Sequence, residues 1–136
     1  MIGYCLVGGL LCAPSLHAGL TFTVENAGVQ ATTVPGAITE TFDSRPLGNL
    51  TAPLVTPVGT FSGGVIAPAD VYGGAGGTGS YYAVGIEGGG LSATLTLPTA
   101  ENYLGFWWSA GDSENSFKVY DGATLLASAV CHKRFY

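Results

Sequence analysis

Histidine is nearly missing from this 136-residue chain: His17 and His132 are the only two. A Ser-His-acid triad or a histidine-ligated zinc site between them is excluded, unless the last residues fold back to supply a ligand. Cysteine is as sparse, with Cys5 and Cys12 in an apolar N-terminal stretch and Cys131 near the other end. A chain cut after residue 18 keeps one thiol, makes no internal disulfide and must fold by its core alone. Charge is scarce too. Only 10% of residues are Asp, Glu, Lys or Arg, which speaks against long charged helices and for short strands joined by tight turns. The balance is acidic, a net −5, so the surface repels phosphate backbones and nucleic-acid binding is disfavoured. The apolar run from Tyr4 to Ala13 is shorter than the about 20 residues of a membrane-spanning helix. A Gly-x-Ser-x-Gly nucleophile elbow is also missing.

What is present at the N-terminus is "MIGYCLVGGLLCAPSLHA", an apolar run, then Pro14, then small and polar residues ending at Ala18. This pattern reads as a secretory signal over residues 1–18, with Leu16 at −3 and Ala18 at −1 of the cleavage site. No basic residue precedes the run, and a buried N-terminal strand or helix is the competing reading. Residues 19–130 then form one domain, with an atypical basic tail over 131–136.

Short segments rich in β-branched and aromatic residues recur along that domain, at 19–24, 37–42, 58–63, 80–87, 91–97, 103–110, 115–121 and 124–130. The clearest is 91–97, where Leu91, Ala93, Leu95 and Leu97 alternate with Ser92, Thr94 and Thr96 in the period of a half-buried strand. Glycine, proline and Asp-Gly signals separate the segments, and Asp121-Gly122 links two of them at hairpin distance. Residues 43–58, with Pro46, Pro53 and Pro57, read as a surface loop. No stretch carries a helical period. The expected fold is all-β, an antiparallel β-sandwich of jelly-roll type.

Three motifs need weighing. "GAGGTG" (74–79) matches the dinucleotide pattern, but a strand and another glycine turn follow it where a helix must stand, so it reads as a loop. "DSENS" (112–116) offers Asp112, Glu114 and Ser116 at alternate positions, as a calcium loop would. Phe117 and Ala123 occupy the EF-hand glycine and glutamate positions, which rules that motif out; Asp112 remains a weak candidate ligand for a structural calcium, and no other metal or cofactor is implied. Glu40, Asp43, Glu87, Glu101, Asp112 and Glu114 supply carboxylates for a glycosidase pair, yet spacing alone brings no two of them across a cleft. "NLT" (49–51) has the form of a glycosylation acceptor, a tripeptide that arises often by chance.

Adjacent tryptophans stand in "YLGFWWSA" (103–110). Alternation sends Leu104, Phe106, Trp108 and Ala110 to one face, the natural core side, matching Phe117 and Val119 on the next strand. Trp107 goes to the other face beside Gly105. There it is either covered by a loop or open to stack on a sugar ring, with Asp112 and Asn115 as nearby polar candidates for ligand binding.

The stretch "YLGFWWSAGDSENSFKVYDGATLLAS" resembles a hairpin of bacterial exported proteins that carry a PEP-CTERM sorting signal, the exosortase-dependent surface proteins. The positions that carry the likeness are Trp108, Ser109, Asp112, Asn115, Phe117, Tyr120, Asp121 and Gly122, and "ITETFDS", "YYAVG" and "LTLPTAENYLGFWW" fit the same layout over residues 37–128. The resemblance implies an exported, non-catalytic β-sandwich at the cell surface or in the exopolysaccharide of a Gram-negative bacterium. Such proteins continue through more strands to a Pro-Glu-Pro motif, a hydrophobic helix and a basic cluster, whereas this sequence reads "AVCHKRFY". The expectation is a truncated or frame-shifted product from about Val130 onward, its sandwich incomplete at the C-terminus, with open edges that favour aggregation. Two other functions stand beside the surface role: a secreted carbohydrate-binding module using Trp107, and a small glycosidase-like enzyme. Partners under these readings are extracellular polysaccharide or surface proteins.

Overall fold

The computed structural model describes residues 19–24, 26, 28–69, 71, 76–85, 89–108 and 114–130. The expected signal (1–18), residues 74 and 75 of the glycine loop, Asp112 and the basic tail (131–136) lie outside the described residues. What is described is nearly all β. In chain order the strands are β1 (Gly48–Asn49), β2 (Leu54–Thr56), β3 (Gly59–Ser62), β4 (Val65–Pro68), β5 (Ser80–Ala83), β6 (Thr94–Thr96), β7 (Ser116–Asp121) and β8 (Thr124–Val130). They form a sheet of order β1-β4-β5, a second of order β2-β3-β6, and a two-stranded sheet β7-β8, each antiparallel throughout.

The chain passes from one three-stranded sheet to the other between β3 and β4. Gly63 and Gly64 make that passage at φ +78° and +81°, a left-handed conformation that only glycine adopts without strain. Space demands glycine at 64 as well, because a Cβ there would sit 2.7 Å from the Tyr82 ring. Tyr82, on β5, packs flat against this bend and its hydroxyl donates to the Gly63 carbonyl at 2.6 Å. Its ring also meets Phe61 of β3, with centroids 4.9 Å apart, so one aromatic contact joins the two sheets. Phe42 completes the cluster, edge-on to Phe61 at 5.2 Å and stacked on Tyr82 at 5.7 Å.

Beside this junction lies a small core. Ile66 on β4 is 1% exposed, with Ala67, Thr56 and the glycines Gly59 and Gly64 the other buried residues among those described. Thr56 ends β2 and satisfies its hydroxyl locally, donating to the Gly59 carbonyl at 2.8 Å across the Pro57-Val58 turn. That bond lets a polar side chain be buried without an unmet group.

Several strands differ from the sequence reading, for physical reasons. β2 lies inside the expected proline loop, but it is an edge strand bounded by Pro53 and Pro57, where the missing N–H groups cost no ladder bond. β4, which lies outside the segments expected as strands, ends on Pro68; proline is tolerated there because it closes the strand. Residues 37–42 are not a strand. The Glu40 carboxylate takes the Phe42 N–H at 2.8 Å, and a side chain that bonds the local backbone competes with the ladder. Residues 19–24 are exposed throughout and pair with nothing described. The alternation at 91–97 holds from Ala93 to Leu97, while Leu91 is 82% exposed and lies before β6 starts. Residues 103–108 belong to none of the described ladders, and Trp108, expected in the core, is 37% exposed against 39% for Trp107. Strand propensity describes fit to a half-buried sheet surface, and this segment joins none of the described sheets.

The β7-β8 hairpin follows the sequence closely. Asp121 pairs with Thr124, and Gly122 turns at φ +56°. One irregularity interrupts the ladder, where Leu126 has no partner between Ala127↔Val119 and Leu125↔Tyr120.

Truncating Ile66 to alanine should cost about 2–5 kcal/mol of unfolding free energy, whereas Leu91→Ala should stay within about 0.5 kcal/mol; urea titrations compare them. Gly64→Ala combines a strained φ with a clash against Tyr82 and should cost more than about 1 kcal/mol in the same titration.

Candidate functional site

Two regions offer a surface for binding: a shallow hollow over β1 and β2, and the aromatic segment 103–108. The hollow, about 240 Å³, is floored by Ile66 and walled by Arg45, Asn49, Thr51, Pro53 and Leu54 among others. Ligand sites for drug-sized molecules run from roughly 300 to 1,000 Å³, so this one is undersized. No carboxylate lines it, and its guanidinium is already engaged: Arg45 Nη2 lies 2.5 Å from Glu40 Oε2.

That ion pair has a structural task. The Glu40 side chain is 8% exposed and receives the Arg45 side chain and the Phe42 N–H, while the Arg45 N–H bonds the Phe42 carbonyl at 3.0 Å. The turn so fixed holds Phe42 at φ +65°, a conformation that costs a non-glycine residue roughly 1–2 kcal/mol. Its two ring contacts in the junction, each worth about 0.5–1.5 kcal/mol, offset that strain. Asp43 anchors the turn to β5 by accepting the Ser80 N–H at 2.9 Å. Arg45 chiefly, through its hydrogen bond, holds the Glu40 carboxyl below its ordinary value despite burial, and the partnership raises Arg45 in turn. Burial pushes the Tyr81 and Tyr82 phenols up, so both stay protonated at neutral pH.

The sequence singled out Glu40 and Asp43 only as members of a carboxylate set. The structure makes them supports of an aromatic junction, for which the one legible signal was a Glu and an Arg five residues apart around Phe42. Of the other carboxylates, Glu101 accepts from the Thr99 hydroxyl at 2.8 Å, Glu114 is engaged, and Glu87 and Asp112 lie outside the described residues.

The aromatic segment is the more distinctive surface. Tyr103, Leu104, Phe106, Trp107 and Trp108 are all exposed along one short stretch. The alternation read from the sequence is partly realised: Phe106 touches Trp108, at 5.7 Å between centroids, and Phe117 of β7 at 4.8 Å. Trp107 pairs with no described ring. Gly105 does not leave it an open neighbour as expected, because the Tyr103 ring folds over that glycine, its Cζ 2.9 Å from where a Cβ would stand. The Tyr103 hydroxyl then donates to Thr32 Oγ1 at 2.8 Å, tying the segment to the N-terminal part of the domain. Asn115 is half-buried just before β7 and is not a free group. Of the expected binding set, Trp107 is thus displayed, Asn115 engaged, and Asp112 outside the described residues. Among the described residues no group of three metal-ligating side chains converges, so the calcium expectation gains no ligand set there.

The Glu40 pair yields a pH prediction. A carboxyl whose folded pKa is lowered stabilises the fold above its unfolded value and loses that contribution as pH falls through the folded one. Wild type should therefore exceed Glu40→Gln in melting temperature at pH 7, and the gap should shrink as pH drops below the ordinary value of 4.5. Against models of protein families, curated proteins and solved structures, the chain has no match.

Proposed function

We propose that this chain is a non-catalytic exported protein of the cell surface or extracellular matrix, associated with exopolysaccharide. The observation that carries the reading is the exposed aromatic segment 103–108 on an all-β frame whose placed carboxylates serve the fold. Exposed aromatic surface on a small domain is a mark of contact with another molecule. The likeness of 103–128 to the PEP-CTERM hairpin, with its Asp121-Gly122 turn, points to the same setting. Under this reading the two three-stranded sheets, joined through Phe61 and Tyr82, are parts of a jelly-roll-type sandwich.

A second reading, a carbohydrate-binding module, is favoured by one specific observation. Trp107 is 39% exposed and pairs with no described ring, and flat aromatic faces bind the apolar faces of pyranose rings.

Protease shaving of intact producing cells tests the first reading: the surface role requires loss of the protein, and full protection inside the cell contradicts it. For the second, polysaccharide pull-down and glycan arrays should show binding that falls at least about tenfold in Trp107→Ala and persists in Leu91→Ala. Equal binding by both variants would remove Trp107 from the reading.

A further inference from the structure

We propose that the segment 103–108, read as a carbohydrate-binding surface, takes neutral polysaccharide, whose sugars carry no carboxylate or sulfate; the proposal rests on that reading and names its ligand class. The first ground is the charge around the rings. Glu101 precedes them in sequence, Asp112 and Glu114 follow, and no Lys, Arg or His occurs from Pro46 to Phe117. The whole chain carries net −5.

The second ground is where the cations stand. Arg45 is taken up by Glu40, its Nη2 2.5 Å from that carboxylate. Lys118 follows Phe117 on β7, and consecutive strand residues point to opposite faces, so Lys118 lies on the side of the hairpin away from Phe106. Lys133 and Arg134 lie outside the described residues. Among the described residues, then, no uncommitted cation is offered on the ring-bearing side of the hairpin.

An acidic glycan repeats a carboxylate or sulfate along its length, and its recognition calls for Arg or Lys to pair with those groups. Here they would approach an acidic surface without a partner cation, and like charge suppresses the encounter. A neutral pyranose asks for less. Its C–H face covers an exposed ring, its hydroxyls stay in water, and no counter-charge is needed. Trp107, which pairs with no described ring, is the face open to such a sugar.

Biolayer interferometry of the full chain tests this against alginate, polygalacturonate and carboxymethylcellulose, each beside its carboxyl-reduced form. Each pair shares its linkages and differs in charge. At least one reduced glycan should bind at least about tenfold more tightly than its acidic parent and lose that binding in Trp107→Ala. Raising NaCl from about 0.05 to 0.5 M should change the neutral affinity less than about twofold, because no ion pair holds the complex. An acidic parent bound as tightly as its reduced form, with binding still lost in Trp107→Ala, overturns the neutral class and leaves the carbohydrate reading standing. Neutral binding that falls about tenfold in the high salt also overturns it. Retention of no glycan removes the carbohydrate reading and the proposal together.

Discussion

The contact of the Tyr82 ring with the Gly63-Gly64 bend is the constraint on which the described fold depends. The bend carries the chain from one three-stranded sheet to the other, and Tyr82 closes over it from β5 while touching Phe61 on β3. Remove the ring and the sheets lose their one aromatic bridge; add a methyl at Gly64 and the ring has nowhere to sit. The hydroxyl bond to Gly63 fixes the ring's position, and Phe42 buttresses it from a turn built by Glu40, Arg45 and Asp43. A handful of polar groups thus does for this domain what a larger apolar core does elsewhere.

That economy shapes where function can lie. With Ile66 and Ala67 the only buried apolar residues described, much apolar surface stays at the exterior, and it concentrates in 103–108. The charged groups near the junction are held in place by one another, and the hollow above Ile66 is small. Under the proposed reading, recognition runs through the exposed rings of 103–108.

Much of the local structure could be read from the residues. Alternation at 93–97, the aromatic density of 80–83 and the Asp-Gly turn at 121–122 marked β6, β5 and the final hairpin, because each follows from neighbours in sequence. The misses came where tertiary surroundings decided. Proline hid β2 and β4, since only the sheet order reveals that one is an edge and that the other ends at its proline. Residues 103–108 had every sign of a strand but join none of the described ladders. Trp108 illustrates the limit: alternation set it correctly on the side of Phe106 and Phe117, but burial depends on what covers that side. Whether Trp107 is covered or displayed was not legible, and neither was the Tyr103 ring over Gly105, which depends on a rotamer fixed by the distant Thr32.

The central claim is that the two three-stranded sheets form one unit locked at Tyr82, while the β7-β8 hairpin is held separately through Phe106 and Phe117. Native-state hydrogen exchange tests this most directly. The account predicts that ladder amides of β3, β4 and β5 share the slowest exchange and lose it together in Tyr82→Ala, with the β7-β8 amides opening at a lower free energy that this change leaves unaltered. A single protection level across sheets and hairpin, falling uniformly in the variant, would contradict it.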